Sequence, residues 1–156
     1  MLEIGKPAPA FENPATGDQT ISLASLKGKN VVLYFYPKDS TPGCTTEGQN
    51  FRDLYETFQG LDTEILGVSR DSVKSHENFK AKQEFPFHLL SDKEEVLCKA
   101  YDVIKEKNMY GRKSMGVERS TFVIDREGNL AREWRKVRVK GHVDEVLAFI
   151  QSLNAE

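Results

Sequence analysis

The chain has 156 residues, with 22 lysines and arginines against 24 aspartates and glutamates and a formal charge of −2. This length predicts one domain, residues 1–156, that is large enough to bury a core. The near balance of charge gives no reason to expect a nucleic-acid partner, and no apolar run of the sequence is long enough to span a membrane. Two cysteines are too few for a disulfide scaffold, and the N-terminus lacks a secretory pattern, so we expect a cytoplasmic protein.

The N-terminal segment leads into a strand that the rest of the chain surrounds. Gly5–Phe11 is too rich in proline for regular structure and predicts an extended lead-in. Gly17-Asp18 predicts a turn, and Thr20–Leu23 a short strand after it. Val31–Tyr36 consists of six consecutive strand-favouring apolar residues, which is typical of a central strand buried on both faces.

Signals for a long helix follow this strand. Thr41 suits the N-cap, and Pro42 suits the first helical position, where its missing N–H costs nothing. Gly60 predicts the C-terminal end of the helix. One apolar face recurs at helical spacing: Phe51, Leu54, Tyr55 and Phe58.

This arrangement puts Cys44 in the first helical turn, at the carboxyl end of the central strand. Unpaired backbone N–H groups and the positive end of the helix dipole stabilise a thiolate there. The thiolate is the reactive form of cysteine. An inert, buried cysteine is the alternative, but a thiol at a strand-to-helix turn faces a crevice rather than a core. We therefore predict that Cys44 is a nucleophile.

The remaining chain continues to alternate between strands and helices, which predicts an α/β domain. Its predicted elements are a strand at Glu64–Val68, a helix capped by Asp71 or Ser72 and reaching about Glu84, a strand at Phe87–Leu90, a helix opened by Asp92 and Glu95, a loop at Lys105–Gly116, strands at Ser120–Asp125 and Leu130–Val137, and an amphipathic helix at Val143–Leu153. The three histidines lack metal-ligand spacing, so we expect no metal site. We interpret His76 as a partly exposed, structural residue on its helix.

The motif Pro37-x-x-x-Thr41-x-x-Cys44 resembles the active-site signature of the peroxiredoxins. The fuller stretch YFYPKDSTPGCT is similar to the subgroup called bacterioferritin comigratory protein or peroxiredoxin Q. The resemblance implies a thioredoxin-like α/β fold, with a central mixed β-sheet flanked by helices and an N-terminal extension. It also implies a thiol peroxidase without a bound cofactor, in which Cys44 attacks hydrogen peroxide or an organic hydroperoxide and becomes a sulfenic acid.

Peroxide reduction also needs donors that hold the substrate and stabilise charge on the leaving oxygen. The backbone amides of Gly43 and Cys44 are candidates. The Thr41 hydroxyl can both donate to and accept from the peroxide oxygens, although a plain N-cap is its simpler role. Pro37 ends the strand, and the resemblance implies that it also limits access of water to Cys44.

A fixed cation is expected beside the thiolate, and Arg119 is the first candidate. Alone it could be a solvated charge at a strand edge, but peroxiredoxins have an arginine at this place that contacts both cysteine and peroxide. Arginine suits the role because it stays charged and offers several donors in a rigid fork. Glu47 lies one turn after Cys44 on the same helix face. Since an unpaired carboxylate would disfavour the thiolate, we expect an arginine to bind Glu47.

The chain departs from many relatives in its second cysteine. Gln49 occupies the position of a resolving cysteine five residues after the first, and Ser72–Glu84, where other members carry one, contains none. The other cysteine, Cys98, lies about 130° from the centre of its helix's apolar stripe, which predicts a less buried position. A bond between Cys44 and Cys98 would need their Cα atoms within about 7 Å.

We therefore expect a one-cysteine mechanism with an external reductant, namely thioredoxin, glutaredoxin or a small thiol, and keep Cys98 as a possible resolving cysteine. The alternative function is a redox sensor or adaptor with a thioredoxin fold that is oxidised once and does not turn over. A disulfide oxidoreductase is disfavoured because the sequence has no C-x-x-C motif. We expect a monomer.

Overall fold

A computed structural model describes residues 2–155. Its strands are β1 Glu12–Ala15, β2 Gln19–Ser22, β3 Asn30–Phe35, β4 Thr63–Ser69, β5 His88–Ser91, β6 Ile104–Met109, β7 Arg112–Val117, β8 Ser120–Ile124 and β9 Leu130–Trp134. Its α-helices are α1 Pro42–Asp53, α2 Tyr55–Gly60, α3 Val73–Gln83, α4 Val96–Ala100 and α5 His142–Asn154. None of these helices combines the length and apolar composition that crossing a bilayer requires.

Seven strands form one mixed sheet in the order β2-β1-β5-β4-β3-β8-β9. The pairs β3–β4 and β4–β5 are parallel, and the other pairs of this sheet are antiparallel. All six residues of β3 are buried, because β4 and β8 cover its edges and packed side chains cover both faces. The predicted central strand is confirmed, and its carboxyl end delivers the chain to the first turn of α1.

The sheet separates two hydrophobic cores. Alternate residues of β3 point to opposite faces: Leu33 contributes to one core, and its neighbour Tyr34 contributes to the other. We call the first the Cys98 core and the second the Cys44 core, after the cysteine that each contains. The two cysteines therefore lie on opposite sides of the sheet.

The helix predicted between Thr41 and Gly60 is interrupted. Leu54 has φ −109° and ψ 8°, which ends α1 and lets α2 start in a new direction at Tyr55. Gly60 is the last residue of α2, and the left-handed conformation occurs two residues later, at Asp62 with φ 55°. The apolar spacing was right for both helices, but it could not reveal a break that preserves the buried face.

The prediction of a loop at Lys105–Gly116 is wrong. This segment forms a β-hairpin of β6 and β7, which makes a separate two-stranded sheet. Tyr110 and Gly111 connect the strands with φ 53° and 77°, as a two-residue hairpin turn requires. Most side chains of the hairpin are exposed. It therefore lacks the alternation of apolar and polar residues by which a half-buried strand is recognised.

The spacing of Asp92 and Glu95 predicts a capping-box-like start for α4, but the structure shows a different one. The Asp92 carboxylate accepts hydrogen bonds from the backbone N–H groups of Leu97 (3.1 Å) and Cys98 (2.7 Å). Glu95 precedes the helix in a left-handed conformation, with φ 65°. The predicted exposure of Cys98 is wrong, since its side chain is fully buried. The angle of Cys98 from the apolar stripe does not predict its burial because α4 has only five residues. In addition, Asp92 holds the first turn of this helix against the sheet.

Candidate active site

The end of β3 and the start of α1 place Cys44 at the carboxyl end of the sheet. After Tyr36 the chain runs through a short loop, residues 37–41, in which Ser40 has φ 62°. The helix then begins at Pro42, and the Thr45 N–H donates to the Thr41 carbonyl at 2.9 Å. The N–H groups of Gly43 and Cys44 precede this bond, so both belong to the helix start that lacks acceptors within the helix.

Thr41 is the N-cap residue of α1, as predicted, but its side chain does not cap the helix. Its hydroxyl donates to the Lys38 carbonyl at 2.7 Å. The hydroxyl proton is thereby engaged, and the oxygen lone pairs stay available to accept a hydrogen bond from a substrate O–H. Pro37 is half-buried at the start of the same loop.

Arg119 lies between β7 and β8, and its guanidinium bridges two groups of α1. Nη2 is 3.4 Å from the Cys44 Sγ, and Nη1 donates to Glu47 Oε1 at 2.6 Å. Gly43 makes this approach possible, because a Cβ at that position would lie 3.1 Å from Nη2. Burial alone would lower the pKa of Arg119, but the charges of Glu47 and Cys44 outweigh it and raise the pKa.

Glu47 is fully buried, and the expected contact with an arginine is present. Burial raises the pKa of its carboxyl group to about 7, even though the charge and hydrogen bond of Arg119 oppose this shift. Its second oxygen, Oε2, has no hydrogen-bond partner among residues 2–155. Ionisation of Glu47 near neutral pH therefore changes how much of the charge of Arg119 is available to Cys44.

His142, the first residue of α5, borders this group of residues. Its Nε2 is 2.8 Å from the Thr121 hydroxyl, and its ring lies edge-on to Trp134, with 5.7 Å between ring centroids. Burial and the nearby charge of Arg119 lower its pKa to about 4. The ring is thus neutral at physiological pH.

A group that our sequence interpretation missed lies behind the loop. His76, expected to be partly exposed, is fully buried, and its ring contacts Asp39 in the loop. The inward stripe of Val73, His76 and Phe79 on α3 was the available signal for its burial, but nothing local indicated Asp39 as a partner. Within residues 2–155, the only His/Cys/carboxylate grouping close enough to suggest a metal is Asp39, Asp71 and His76.

Cys98 is remote from this arrangement because it belongs to the core on the other side of the sheet. Burial raises the pKa of its thiol, and the neighbouring Asp92 raises it further. Both cysteines are free thiols. Of the predicted site residues, the structure brings together Cys44, Gly43, Glu47 and Arg119, with Thr41 and Pro37 in the adjoining loop, and leaves Cys98 apart.

The assembled residues can stabilise negative charge at one point. The Arg119 guanidinium contacts the Cys44 sulfur, Cys44 lies in the first turn of α1 where backbone N–H groups lack acceptors within the helix, and the residue is only 2% exposed. Such donors favour a thiolate, and they also favour an oxygen anion that leaves from an attacked substrate.

Comparison with known proteins identifies similar chains along the whole sequence. Residues 4–133 match the family model described as the AhpC/TSA family. The chain is 56% identical to a Xanthomonas campestris protein named Peroxiredoxin Bcp, over 97% of this chain and 95% of that one. It is 52% identical to the Bacillus subtilis protein of the same name, over 98% of both.

Solved structures of similar proteins also share the fold of this chain. A bacterioferritin comigratory protein of Xanthomonas campestris, described for its alkyl peroxide reduction activity, superposes with a TM-score of 0.92 at 50% identity over 97% of this chain and 99% of that one. A cysteine-to-serine mutant of Xylella fastidiosa peroxiredoxin Q gives 0.94 at 44% identity, over 100% and 99%. These matches, with the mixed sheet flanked by helices, confirm the predicted thioredoxin-like architecture.

Proposed function

Because the chain belongs to the AhpC/TSA family and is a peroxiredoxin, we propose that Cys44 is the nucleophile with which it reduces hydrogen peroxide and organic hydroperoxides. The observation that carries this proposal is the Arg119 guanidinium, which contacts both the Cys44 sulfur and Glu47. One cation beside the sulfur favours the thiolate before the reaction and the leaving oxygen during it.

In the oxidative step, the Cys44 thiolate attacks one oxygen of the hydroperoxide ROOH. An S–O bond forms and the O–O bond breaks, so Cys44 becomes a sulfenic acid and RO⁻ leaves. The leaving anion accepts a proton and departs as ROH, or as water when the substrate is hydrogen peroxide. Arg119 and the N–H groups of Gly43 and Cys44 stabilise the negative charge as it moves to the leaving oxygen, while the Thr41 hydroxyl oxygen accepts the substrate O–H.

In the reductive step, an external thiol attacks the sulfenic sulfur and water leaves, which forms a mixed disulfide. A second thiol then attacks that disulfide and regenerates Cys44. The family uses a thiol reductant such as thioredoxin, and glutaredoxin or a small thiol would serve the same chemistry. The one-cysteine form of this mechanism is supported by the position of Cys98 on the opposite side of the sheet.

Organic hydroperoxides have room to approach. A cavity of about 660 Å³ between α1 and the start of α5 borders Gly43, and its lining includes the apolar side chains of Leu54 and Val143. The alkyl peroxide reduction described for the Xanthomonas relative supports the same substrate class for this chain.

The test compares Cys44→Ser with Cys98→Ser, assayed for peroxide consumption with excess thioredoxin and, separately, with excess dithiothreitol. We expect Cys44→Ser to lose all activity and Cys98→Ser to retain multiple turnovers with both reductants. Mass spectrometry of the peroxide-treated wild type under non-reducing conditions should detect oxidised Cys44 without an internal disulfide.

The other outcomes are equally informative. If the wild type is oxidised once and stops despite excess dithiol, the chain is a sensor or adaptor rather than an enzyme. If the wild type turns over but Cys98→Ser reacts once and stalls, Cys98 resolves Cys44 and the one-cysteine mechanism is wrong.

A further inference from the structure

The loop that precedes Cys44 is held by a buried carboxylate, Asp39. Tyr36 Oη donates to its Oδ1 at 2.6 Å, and the Ser75 hydroxyl donates to its Oδ2 at 2.8 Å. His76 Nδ1 lies 2.7 Å from the same Oδ2. Asp39 is 6% exposed and His76 is not exposed at all, so water does not compete for these bonds. The loop is therefore attached to α3 through its most buried side chain.

The ring of His76 faces a hydrogen-bond acceptor on each side. Its Nδ1 faces the carboxylate of Asp39, and its Nε2 lies 2.9 Å from the carbonyl oxygen of Leu90 in β5. A carboxylate and a carbonyl oxygen only accept hydrogen bonds, so the ring is held between two acceptors, one in the loop and one in β5. A hydrogen bond that a buried ring N–H donates to a carboxylate is charge-assisted, and such bonds are stronger than bonds between neutral groups.

The backbone of the loop is fixed at the same point. The Asp39 N–H donates to Asp71 Oδ2 at 2.9 Å, and the hydroxyl of Ser69, the last residue of β4, donates to that oxygen too. Both oxygens of Asp39 and Oδ2 of Asp71 thus accept hydrogen bonds from N–H or O–H groups, and His76 Nδ1 is paired with Asp39. This cluster is a hydrogen-bonded anchor between the loop, the end of β4 and α3.

The anchor lies five residues before Cys44, and the chain between them has little freedom. Ser40 adopts φ 62°, the Thr41 hydroxyl binds the Lys38 carbonyl, and Pro42 fixes its own backbone angle. As long as Asp39 is held, the first turn of α1 keeps Cys44 against Arg119. A small peroxide can react with the sulfur in this closed position. A thiol reductant must bring its own sulfur to bonding distance of the sulfur of Cys44, a residue that is only 2% exposed, so the loop has to move.

We propose that His76 is a positioning residue which, through Asp39, holds the loop and Cys44 in the closed conformation that reacts with peroxide. This inference rests on the proposed function of Cys44. It predicts that weakening the anchor favours reduction over oxidation. Charge-assisted hydrogen bonds of this kind each change an equilibrium by about tenfold or more, so the open conformation should become about tenfold more populated while the closed one still predominates.

The test is His76→Gln, which retains a polar side chain but lacks the imidazole ring that lies between Asp39 and the Leu90 carbonyl. Stopped-flow measurements should show that the oxidised protein is reduced by thioredoxin about tenfold faster, whereas the reaction of the reduced protein with peroxide slows by less than about twofold. The peroxide concentration that causes overoxidation to sulfinic acid in the presence of reductant should rise about tenfold, because the sulfenic acid is removed sooner.

Two further variants separate positioning from loss of stability. Leu130→Ala creates a cavity on the other side of the sheet, where Leu130 is buried in the Cys98 core; it should lower the melting temperature without changing the ratio of the two rates. Tyr36→Phe removes one bond to Asp39 while preserving the ring, and it should shift the ratio in the same direction as His76→Gln. It also tests the proposal if His76→Gln does not fold.

The proposal is overturned if both anchor variants leave the ratio of reduction to oxidation at the wild-type value, or if the two rates fall together. Either result leaves the proposed function intact, provided that the wild type consumes peroxide through Cys44. The wild type is therefore assayed before any anchor variant. If it consumes no peroxide, the proposed function itself fails.

Discussion

At the scale of single residues, the site depends on how one positive charge is shared. Arg119 contacts a sulfur at 3.4 Å and a carboxylate oxygen at 2.6 Å, and its side chain is 16% exposed. The shorter contact with Glu47 orients the guanidinium beside the Cys44 sulfur. The ion pair with Glu47 therefore fixes the orientation of the Arg119 guanidinium.

We predict that Arg119→Ala slows the reaction of Cys44 with peroxide by about 10²–10³, since a donor to the developing negative charge is lost. Stopped-flow kinetics of peroxide reduction measure this effect. Arg132→Ala is the matched control, because Arg132 stacks on Trp134 with its guanidinium 4.6 Å from the ring centroid and does not contact the site. Equal rates for the two variants would show that another group supplies the charge.

The raised pKa of Glu47 predicts a dependence of stability on pH. Between pH 4.5, the ordinary pKa of a glutamate, and about pH 7, its pKa in the folded protein, the folded protein holds a proton that the unfolded chain has released. Stability contributed by this proton is complete below about pH 4.5 and is lost as the pH rises through 7. At 1.36 kcal/mol per pKa unit, the loss is on the order of 3 kcal/mol.

Glu47→Gln should remove this dependence of stability on pH. In urea unfolding, the free energy of unfolding of the variant relative to the wild type should therefore be higher at pH 8 than at pH 5. Glu56→Gln on the exposed surface of α2 is the control and should parallel the wild type at both values. Parallel curves for Glu47→Gln as well would mean that Glu47 titrates alike in the folded and unfolded chains.

Single residues also show where sequence reasoning ends. Cys44, Thr41 and Arg119 could be proposed as site residues because a short motif or a neighbouring strand marks each one. Asp39 and His76 could not be paired, since 37 positions separate them and neither belongs to a periodic pattern that encodes the other. Contacts of this kind depend on how the sheet brings the end of β3 beside α3.

At the scale of elements, α1 is fixed by a close contact that needs a glycine. A Cβ at Gly48 would lie 2.3 Å from Cζ of Phe85, whose ring is buried in the Cys44 core. We predict that Gly48→Ala lowers the free energy of unfolding by about 1–3 kcal/mol, because overpacking outweighs the gain in helix propensity. Chemical denaturation measures the difference.

Gly60→Ala provides the matched comparison, since the same change at the end of α2 meets no atom within 4 Å. It should leave stability unchanged or raise it by less than about 1 kcal/mol. Similar losses for both variants would mean that the ring of Phe85 moves aside and that the contact does not constrain α1.

The elements that were hardest to predict are those with little buried surface. The strands β3, β4 and β8 are almost wholly buried, so their apolar runs were sufficient. The hairpin of β6 and β7 is held chiefly by pairing between its own strands, and its turn uses Tyr110-Gly111 rather than the asparagine–glycine pair that usually marks such a turn. Local sequence therefore described it as a polar loop.

At the scale of the whole molecule, a few large hydrophobic side chains reach the surface of the part of the chain that the structure describes. The exposed large hydrophobic side chains within the described residues are Ile4, Val96, Tyr110 and Met115. They belong to the N-terminal segment, α4 and the β6–β7 hairpin, and a few exposed apolar residues are normal on monomers. We predict that light scattering after size-exclusion chromatography gives the mass of one chain, 17.7 kDa. A stable mass of twice that value would contradict the prediction.

Cys44 and Cys98 lie on opposite sides of the sheet, and this separation has a practical consequence. Cys44 sits in a helical turn that local opening can expose, whereas Cys98 lies deep in a core that only the disruption of the sheet would uncover. In a chain without other cysteines, the rates at which a thiol reagent labels the two positions report separate events: a small fluctuation at one sulfur and global unfolding at the other. The protein thus contains its own pair of probes for motion on two scales.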